Sequence, residues 1–144
     1  MQHGPSCQAL EHDMDHLELR REANTFFDEF VTAFRTFKGS HIAQRYVAPY
    51  VALQTDGSVQ CFVEHAAVGQ YFQSVVDAYY AQGCRSCGYK DMEVLPLGHQ
   101  CALGTVTWEL LREDGSVLNS WRESYNLLRM ADGLRIFASV DHGA

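Results

Sequence analysis

Residues 101–144 read CALGTVTWELLREDGSVLNSWRESYNLLRMADGLRIFASVDHGA, and this stretch decides the fold. It contains two Asp-Gly pairs, Asp114-Gly115 and Asp132-Gly133, each between runs in which apolar and polar residues alternate. Asp-Gly is a strong hairpin signal because both central residues of the favoured two-residue turn adopt positive φ. The sequence therefore predicts an antiparallel meander, with strands at about 86–97, 100–112, 116–130 and 134–142.

Two-residue turns also fix which side chains share a face, because a shift by one residue reverses every side chain. Glu123 then faces His142 across the last hairpin and Val106 across the preceding one. The predicted inner face is apolar except for the carboxylate and the imidazole; it carries Val106, Trp108, Trp121, Glu123, Tyr125, Leu127, Ile136, Ala138, Val140 and His142. The opposite face is polar; it carries Thr105, Thr107, Glu109, Ser120, Arg122, Ser124 and Asn126.

The first half of the chain predicts three helices. Apolar residues spaced by three and four from residue 14 to residue 37 indicate an amphipathic helix with an aromatic stripe that includes Phe30 and Phe34. A short second helix contains Tyr46, and a third over 66–81 presents Phe72 on its apolar face. Residues 1–13 are polar and predict a flexible leader, so that residues 14–144 form one domain.

This order of elements resembles the NTF2-like superfamily, the cone-shaped fold of SnoaL-like proteins, ketosteroid isomerase and scytalone dehydratase. The resemblance covers residues 14–142 and rests on FVEHAAVGQYF at 62–72 and on DGLRI at 132–136. The second motif is similar to a common Gly-Trp-Arg-Ile ending, with leucine in place of tryptophan. The resemblance implies an α+β fold in which the three helices pack on a curved, mixed, mostly antiparallel sheet. It implies a fold rather than a reaction, because the superfamily includes isomerases, dehydratases and non-catalytic binding modules.

The predicted inner face contains a candidate catalytic pair, Glu123 and His142. A carboxylate in apolar surroundings has a raised pKa and suits general acid/base catalysis when a histidine orients it. The alternative is a structural ion pair at the rim of the sheet. The residues expected to contact a small apolar or aromatic ligand are Phe30, Phe34, Tyr46, Phe72, Val106, Trp108, Trp121 and Tyr125.

Asp91 is a third candidate catalytic residue, and its position depends on the turn that precedes residue 101. A two-residue turn at Gly98-His99 places Asp91 opposite Val106, on the same face as Glu123. A bulge of one residue instead turns Met92 and Val94 inward and sends Asp91 to solvent. Met92 and Val94 are the more natural core residues.

The sequence leaves three functions open. The first is a SnoaL-like enzyme in which Glu123 moves a proton during an isomerisation or a dehydration. The second is a non-catalytic ligand-binding or dimerisation module of the same fold. The third is a structural protein whose cone is filled by its own phenylalanines.

Composition and charge exclude several partners. A formal charge of −7 without a basic stripe argues against nucleic acid, and the apolar runs are too short to cross a membrane. No secretory signal is visible, so we expect a cytoplasmic protein. Cys84 and Cys87 have a Cys-x-x-Cys spacing, but they follow a helix rather than precede one, and we expect no metal and no cofactor. The resemblance implies a homodimer formed through the polar outer face of the sheet.

Overall fold

The computed structural model describes residues 5–143, and for residues 5–15 it describes the backbone alone. Three helices and six strands make up the described chain: α1 (Pro5–Phe34), α2 (Gly39–Ala43), β1 (Tyr46–Leu53), β2 (Val59–Phe62), α3 (His65–Ala81), β3 (Ser86–Leu97), β4 (Cys101–Leu111), β5 (Val117–Met130) and β6 (Gly133–Gly143). The helix α1 begins at Pro5 rather than near residue 14, while the boundary between leader and domain stays a prediction. No helix in the described chain is long and apolar enough to cross a membrane.

The six strands form one mixed sheet in the order β2-β1-β6-β5-β4-β3. All neighbouring strands are antiparallel except β1 and β6, which run parallel. The helices cover one face of this sheet, so the predicted α+β architecture is confirmed. Phe27 of α1 is fully buried against β4 at Gly104, where an added Cβ would lie 3.4 Å from the ring. A glycine at this position lets the helix approach the sheet closely.

The predicted two-residue turn at Asp114-Gly115 is wrong. The Arg112 N–H donates a hydrogen bond to the Ser116 carbonyl oxygen, so residues 113–115 form a three-residue turn. Only Gly115 of the Asp-Gly pair has a positive φ. Leu118 is an extra residue on β5, and it restores the predicted pairing from Leu110 onward.

Away from the turn, the predicted register between β4 and β5 is confirmed. Trp108 pairs with Trp121, and Val106 pairs with Glu123. The inner face of both strands is therefore the predicted one, and Val106 and Leu127 on it are fully buried.

The predicted register between β5 and β6 is wrong from the turn as far as Glu123. Met130 pairs with Gly133, so the chain reverses at residues 131–132, one residue earlier than predicted. The pairing shifts again between Asn126 and Leu127, where Phe137 is the extra residue on β6. As a result Glu123 pairs with Asp141 instead of His142. The inner face of β6 after the bulge carries Ser139 and Asp141, whereas Val140 and His142 project outward.

A bulge in β3 decides the position of Asp91. Lys90 pairs with Thr107 and Glu93 with Thr105, so residues 91–92 together oppose Val106. Asp91 has a φ of 53°, is exposed, and lies outside the inner face, while Met92 is buried. Leu97 pairs with Cys101, so the predicted two-residue turn at Gly98-His99 is wrong, and the bulged alternative with Met92 inward is confirmed.

The second helix ends before Tyr46. The helix α2 finishes at Ala43, and Tyr46 is the first residue of β1, buried to 4% exposure. Its strand position brings Tyr46 and Tyr50 onto the inner face, with their ring centroids 4.7 Å apart.

Candidate functional site

A cavity of about 140 Å³ lies between the inner face of the sheet and the three helices. Its wall consists mainly of aromatic and aliphatic side chains. Some of these lining residues, such as Leu53 and Gln54, are partly exposed and mark the opening of the cavity near the ends of β1 and β6. The lining residues are Phe30, Phe34, Ile42, Tyr46, Tyr50, Ala52, Leu53, Gln54, Tyr71, Phe72, Val75, Val76, Tyr79, Cys87, Trp108, Leu110, Trp121, Glu123, Tyr125, Ser139 and Asp141. A cavity of this size accommodates a molecule of about one ring, given that ~150 Å³ holds benzene.

Glu123 projects into this cavity from the middle of β5. Trp121 lies two residues earlier on the same face, and its indole Nε1 donates a hydrogen bond of 2.8 Å to Glu123 Oε1. Burial raises the pKa of the Glu123 carboxyl from 4.5 to about 7. The hydrogen bond from Trp121 opposes this rise in the pKa, and the negative charge of Asp141 adds to it. At neutral pH both protonation states of Glu123 are therefore populated, a property that favours general acid/base catalysis.

Asp141 is the second carboxylate of the cavity. It stands opposite Glu123 on the neighbouring strand, and its Oδ1 accepts a hydrogen bond of 2.8 Å from the backbone N–H of Gly143. This bond helps to fix the Asp141 side chain in the cavity wall. The predicted partner His142 is on the outer face instead, with its Nε2 2.8 Å from Ser124 Oγ. The predicted couple of Glu123 and His142 is thus replaced by a pair of carboxylates.

Hydroxyl groups surround the deep end of the cavity. Trp108 Nε1 donates a hydrogen bond of 2.7 Å to the Tyr125 hydroxyl, and the hydroxyls of Tyr50 and Ser139 are 2.6 Å apart. Burial raises the pKa of Tyr46, Tyr50 and Tyr125, so these phenols stay neutral and keep their protons for hydrogen bonding.

The structure brings seven of the eight predicted ligand contacts to the cavity wall: Phe30, Phe34, Tyr46, Phe72, Trp108, Trp121 and Tyr125. Val106 is the exception, because it is fully buried and does not line the cavity. Asp91 also lies elsewhere, with its backbone oxygen accepting a hydrogen bond from Arg122. That the seven bind a ligand stays a prediction.

Sequence reasoning missed Ser139 and Asp141, because their inward direction depends on the bulge at Phe137. It also did not single out Tyr50, because every residue of β1, YVAPYVAL, is apolar or aromatic, so the sequence does not show which side chains face inward. The phenylalanine-filled cone is not observed in the described chain. Phe30 and Phe34 form part of the cavity wall, and the cavity remains open beside Glu123.

The Cys-x-x-Cys cysteines belong to the core. Cys84 and Cys87 are both buried, and burial raises the pKa of the Cys87 thiol to about 12. A thiol of that pKa is a poor nucleophile at neutral pH. Among the described residues, no group of three His, Cys, Asp or Glu side chains is placed to hold a metal ion.

Comparison with known proteins agrees with this architecture. Residues 21–144 match the family described as NTF2-like protein (DUF6841). No curated protein sequence matches the chain.

Solved structures show the same fold at low sequence identity. An NTF2-like protein with a cystatin-like fold from Novosphingobium aromaticivorans has a TM-score of 0.69 at 15% identity, over 92% of this chain and 86% of the other. Aln2 from a Streptomyces species has a TM-score of 0.69 at 17% identity, over 86% and 89%. A candidate aromatic ring hydroxylase from N. aromaticivorans has a TM-score of 0.64 at 14% identity, over 87% and 88%. At these identities the likeness is one of fold alone.

Proposed function

The chain belongs to the NTF2-like family DUF6841, and we propose that it is an enzyme in which Glu123 moves a proton on a small apolar or aromatic substrate. One observation carries the proposal: a carboxyl group with a pKa of about 7 projects into an aromatic cavity of about 140 Å³. A general base works best when its pKa is close to the working pH.

The reaction class that fits this geometry is a proton shift next to a carbonyl group. The ionised Glu123 removes a proton from the carbon beside the carbonyl. The electron pair of that C–H bond forms a C=C bond, and the π electron pair of the carbonyl moves to the oxygen to give the enolate. Neutral phenols in the same cavity, such as Tyr46 and Tyr50, stabilise that oxygen by donating hydrogen bonds. The protonated Glu123 then returns the proton to another carbon, which completes an isomerisation, or to a departing hydroxyl, which completes a dehydration.

The experiment measures isomerisation of cyclohex-3-enone to cyclohex-2-enone, together with deuterium exchange at the carbon next to the carbonyl. We expect the wild type to accelerate both, with a rate that rises with pH and levels off above about pH 7 because the carboxylate is the active form. Glu123→Gln should lower the rate by at least ~100-fold, which is the usual contribution of a general base.

The matched control is Glu113→Gln, which removes an equal charge from an exposed residue of the β4–β5 turn and should leave the rate unchanged. Retained turnover in Glu123→Gln would remove Glu123 from the mechanism. Binding of the ketones without exchange, equal in wild type and Glu123→Gln, would instead identify a ligand-binding module.

We also propose that the chain forms a homodimer through the outer face of β3 to β6. Two features support this proposal. The polar groups of that face are organised by short contacts, such as the 2.7 Å between Thr105 Oγ1 and Ser124 Oγ. Apolar side chains also remain exposed there, with Leu95 at 56% and Val140 at 38%. Closed two-fold pairs are the commonest oligomers.

A further inference from the structure

The charge of the cavity wall is one-sided. Glu123 and Asp141 line the cavity, and among the described lining residues none is lysine, arginine or histidine. Neither carboxylate takes part in any ion pair found among the described residues. An anionic ligand would therefore be repelled by the carboxylates, Glu123 adding to the repulsion whenever it is ionised, with no compensating cation in the described wall and at a site where water screens charge poorly.

The two carboxylates lie on neighbouring strands and have different partners. Asp141 is near the C-terminal end of β6, where its Oδ1 accepts a hydrogen bond from the Gly143 N–H, and no other hydrogen bond to its carboxylate is found among the described residues. Glu123 lies between Trp121 and Tyr125 on β5, with its Oε1 bonded to the indole of Trp121. This arrangement leaves Asp141 available as a binding group beside Glu123, the proposed proton-transfer group.

The remaining wall is made of aromatic rings. Tyr46, Tyr50 and Phe72 form one cluster with ring centroids 4.6–6.2 Å apart, and Tyr79 packs against Trp121 at 6.2 Å. Faces of such rings attract a cation, and the attraction is stronger where water is excluded.

From the unpaired acids, the absence of a basic side chain in the described wall and the aromatic rings, we infer that the ligand is a one-ring compound carrying a protonated amine. Its ammonium group lies at Asp141, and its ring lies among the aromatic side chains. This inference rests on the proposed function in one respect only: it assigns the substrate class of the same cavity.

The test compares three molecules of nearly equal size that differ in charge: benzylamine, benzyl alcohol and benzoate. Affinities for the intact chain are measured by calorimetry at pH 8, where benzylamine is protonated. We expect benzylamine to bind at least about tenfold more tightly than benzyl alcohol, and benzoate to show no binding. Asp141→Asn should remove most of this preference, and its amide oxygen can still accept the Gly143 N–H. Glu113→Gln, which removes the same charge outside the cavity, should preserve the preference.

Several outcomes would overturn the inference. These are equal affinities for benzylamine and benzyl alcohol, measurable binding of benzoate, a preference that survives Asp141→Asn, an equal loss in Glu113→Gln, or no binding by any of the three. None of the three molecules reacts, so each of these results is separate from the exchange experiment that tests Glu123 as a base.

Discussion

The burial of Glu123 disfavours its charged form, and the same burial gives its carboxyl the pKa on which the proposed proton transfer depends. Burial raises the pKa of this carboxyl because desolvation disfavours the charged form, and the negative charge of Asp141 raises it further. The hydrogen bond from Trp121, together with the hydroxyls of Tyr125 and Ser139, opposes only part of this rise in the pKa. Perturbed groups of this kind concentrate at functional sites.

The raised pKa has a defined consequence for stability. Between pH 4.5 and about 7 the folded state retains a proton that the unfolded state has released, so the stability conferred at low pH is lost as pH rises through this window. A pKa difference of this size corresponds to up to about 3 kcal/mol. Glu123→Gln cannot ionise, so it should be more stable than the wild type at pH 8 by an amount approaching that value.

This prediction is checked by urea denaturation of both proteins from pH 4 to pH 8. The two stability curves should converge near pH 4 and diverge as pH rises, while Glu113→Gln should follow the wild type. Curves that stay parallel across this range would mean that Glu123 titrates normally.

At the scale of elements, the sequence predicts the strands of the meander to within one or two residues. The register of the β4–β5 hairpin was predictable away from the turn, because apolar and polar residues alternate along both strands and place Trp108 opposite Trp121. The turn itself has three residues instead of the predicted two, and the extra residue Leu118 on β5 compensates for this difference. The third helix was also predictable, because its apolar residues are spaced by three and four and Gly83 follows its last turn.

The bulges in β3 and β6 could not be predicted in the same way. A bulge depends on how side chains pack across strands, and the local residue pattern records this only weakly. In β3 the apolar residues Met92 and Val94 favoured an inward direction for their own side chains, and the bulge produces that direction. In β6 no such hint exists around Phe137, and this one residue exchanges His142 for Asp141 inside the cavity. Which charged side chain faces Glu123 in the candidate site thus depends on the bulge in β6, the feature that was hardest to predict from the sequence.

At the scale of the whole molecule, the inner face encloses the site and the outer face is available for association. The homodimer proposal predicts that the chain of 16.3 kDa sediments at about twice this mass. Val140→Arg, on the outer face of β6, should shift the protein to the monomer because it places a charge in the interface.

The matched control for the dimer is Val63→Arg. It alters a residue that is 66% exposed in the connection between β2 and α3, away from the outer face. A monomeric wild type, or an equal effect of both variants, would contradict the proposed interface.

The central claim is that the fold raises the pKa of one carboxyl group, that of Glu123, to about 7 inside an aromatic cavity. Its most direct test is a carboxyl ¹³C NMR titration of the intact protein, with Glu123→Gln used to assign the signal. The account predicts a midpoint of about 7 for Glu123. A midpoint near the ordinary value of 4.5 would contradict it, because the carboxyl would then be solvated and unsuited to the proposed proton transfer.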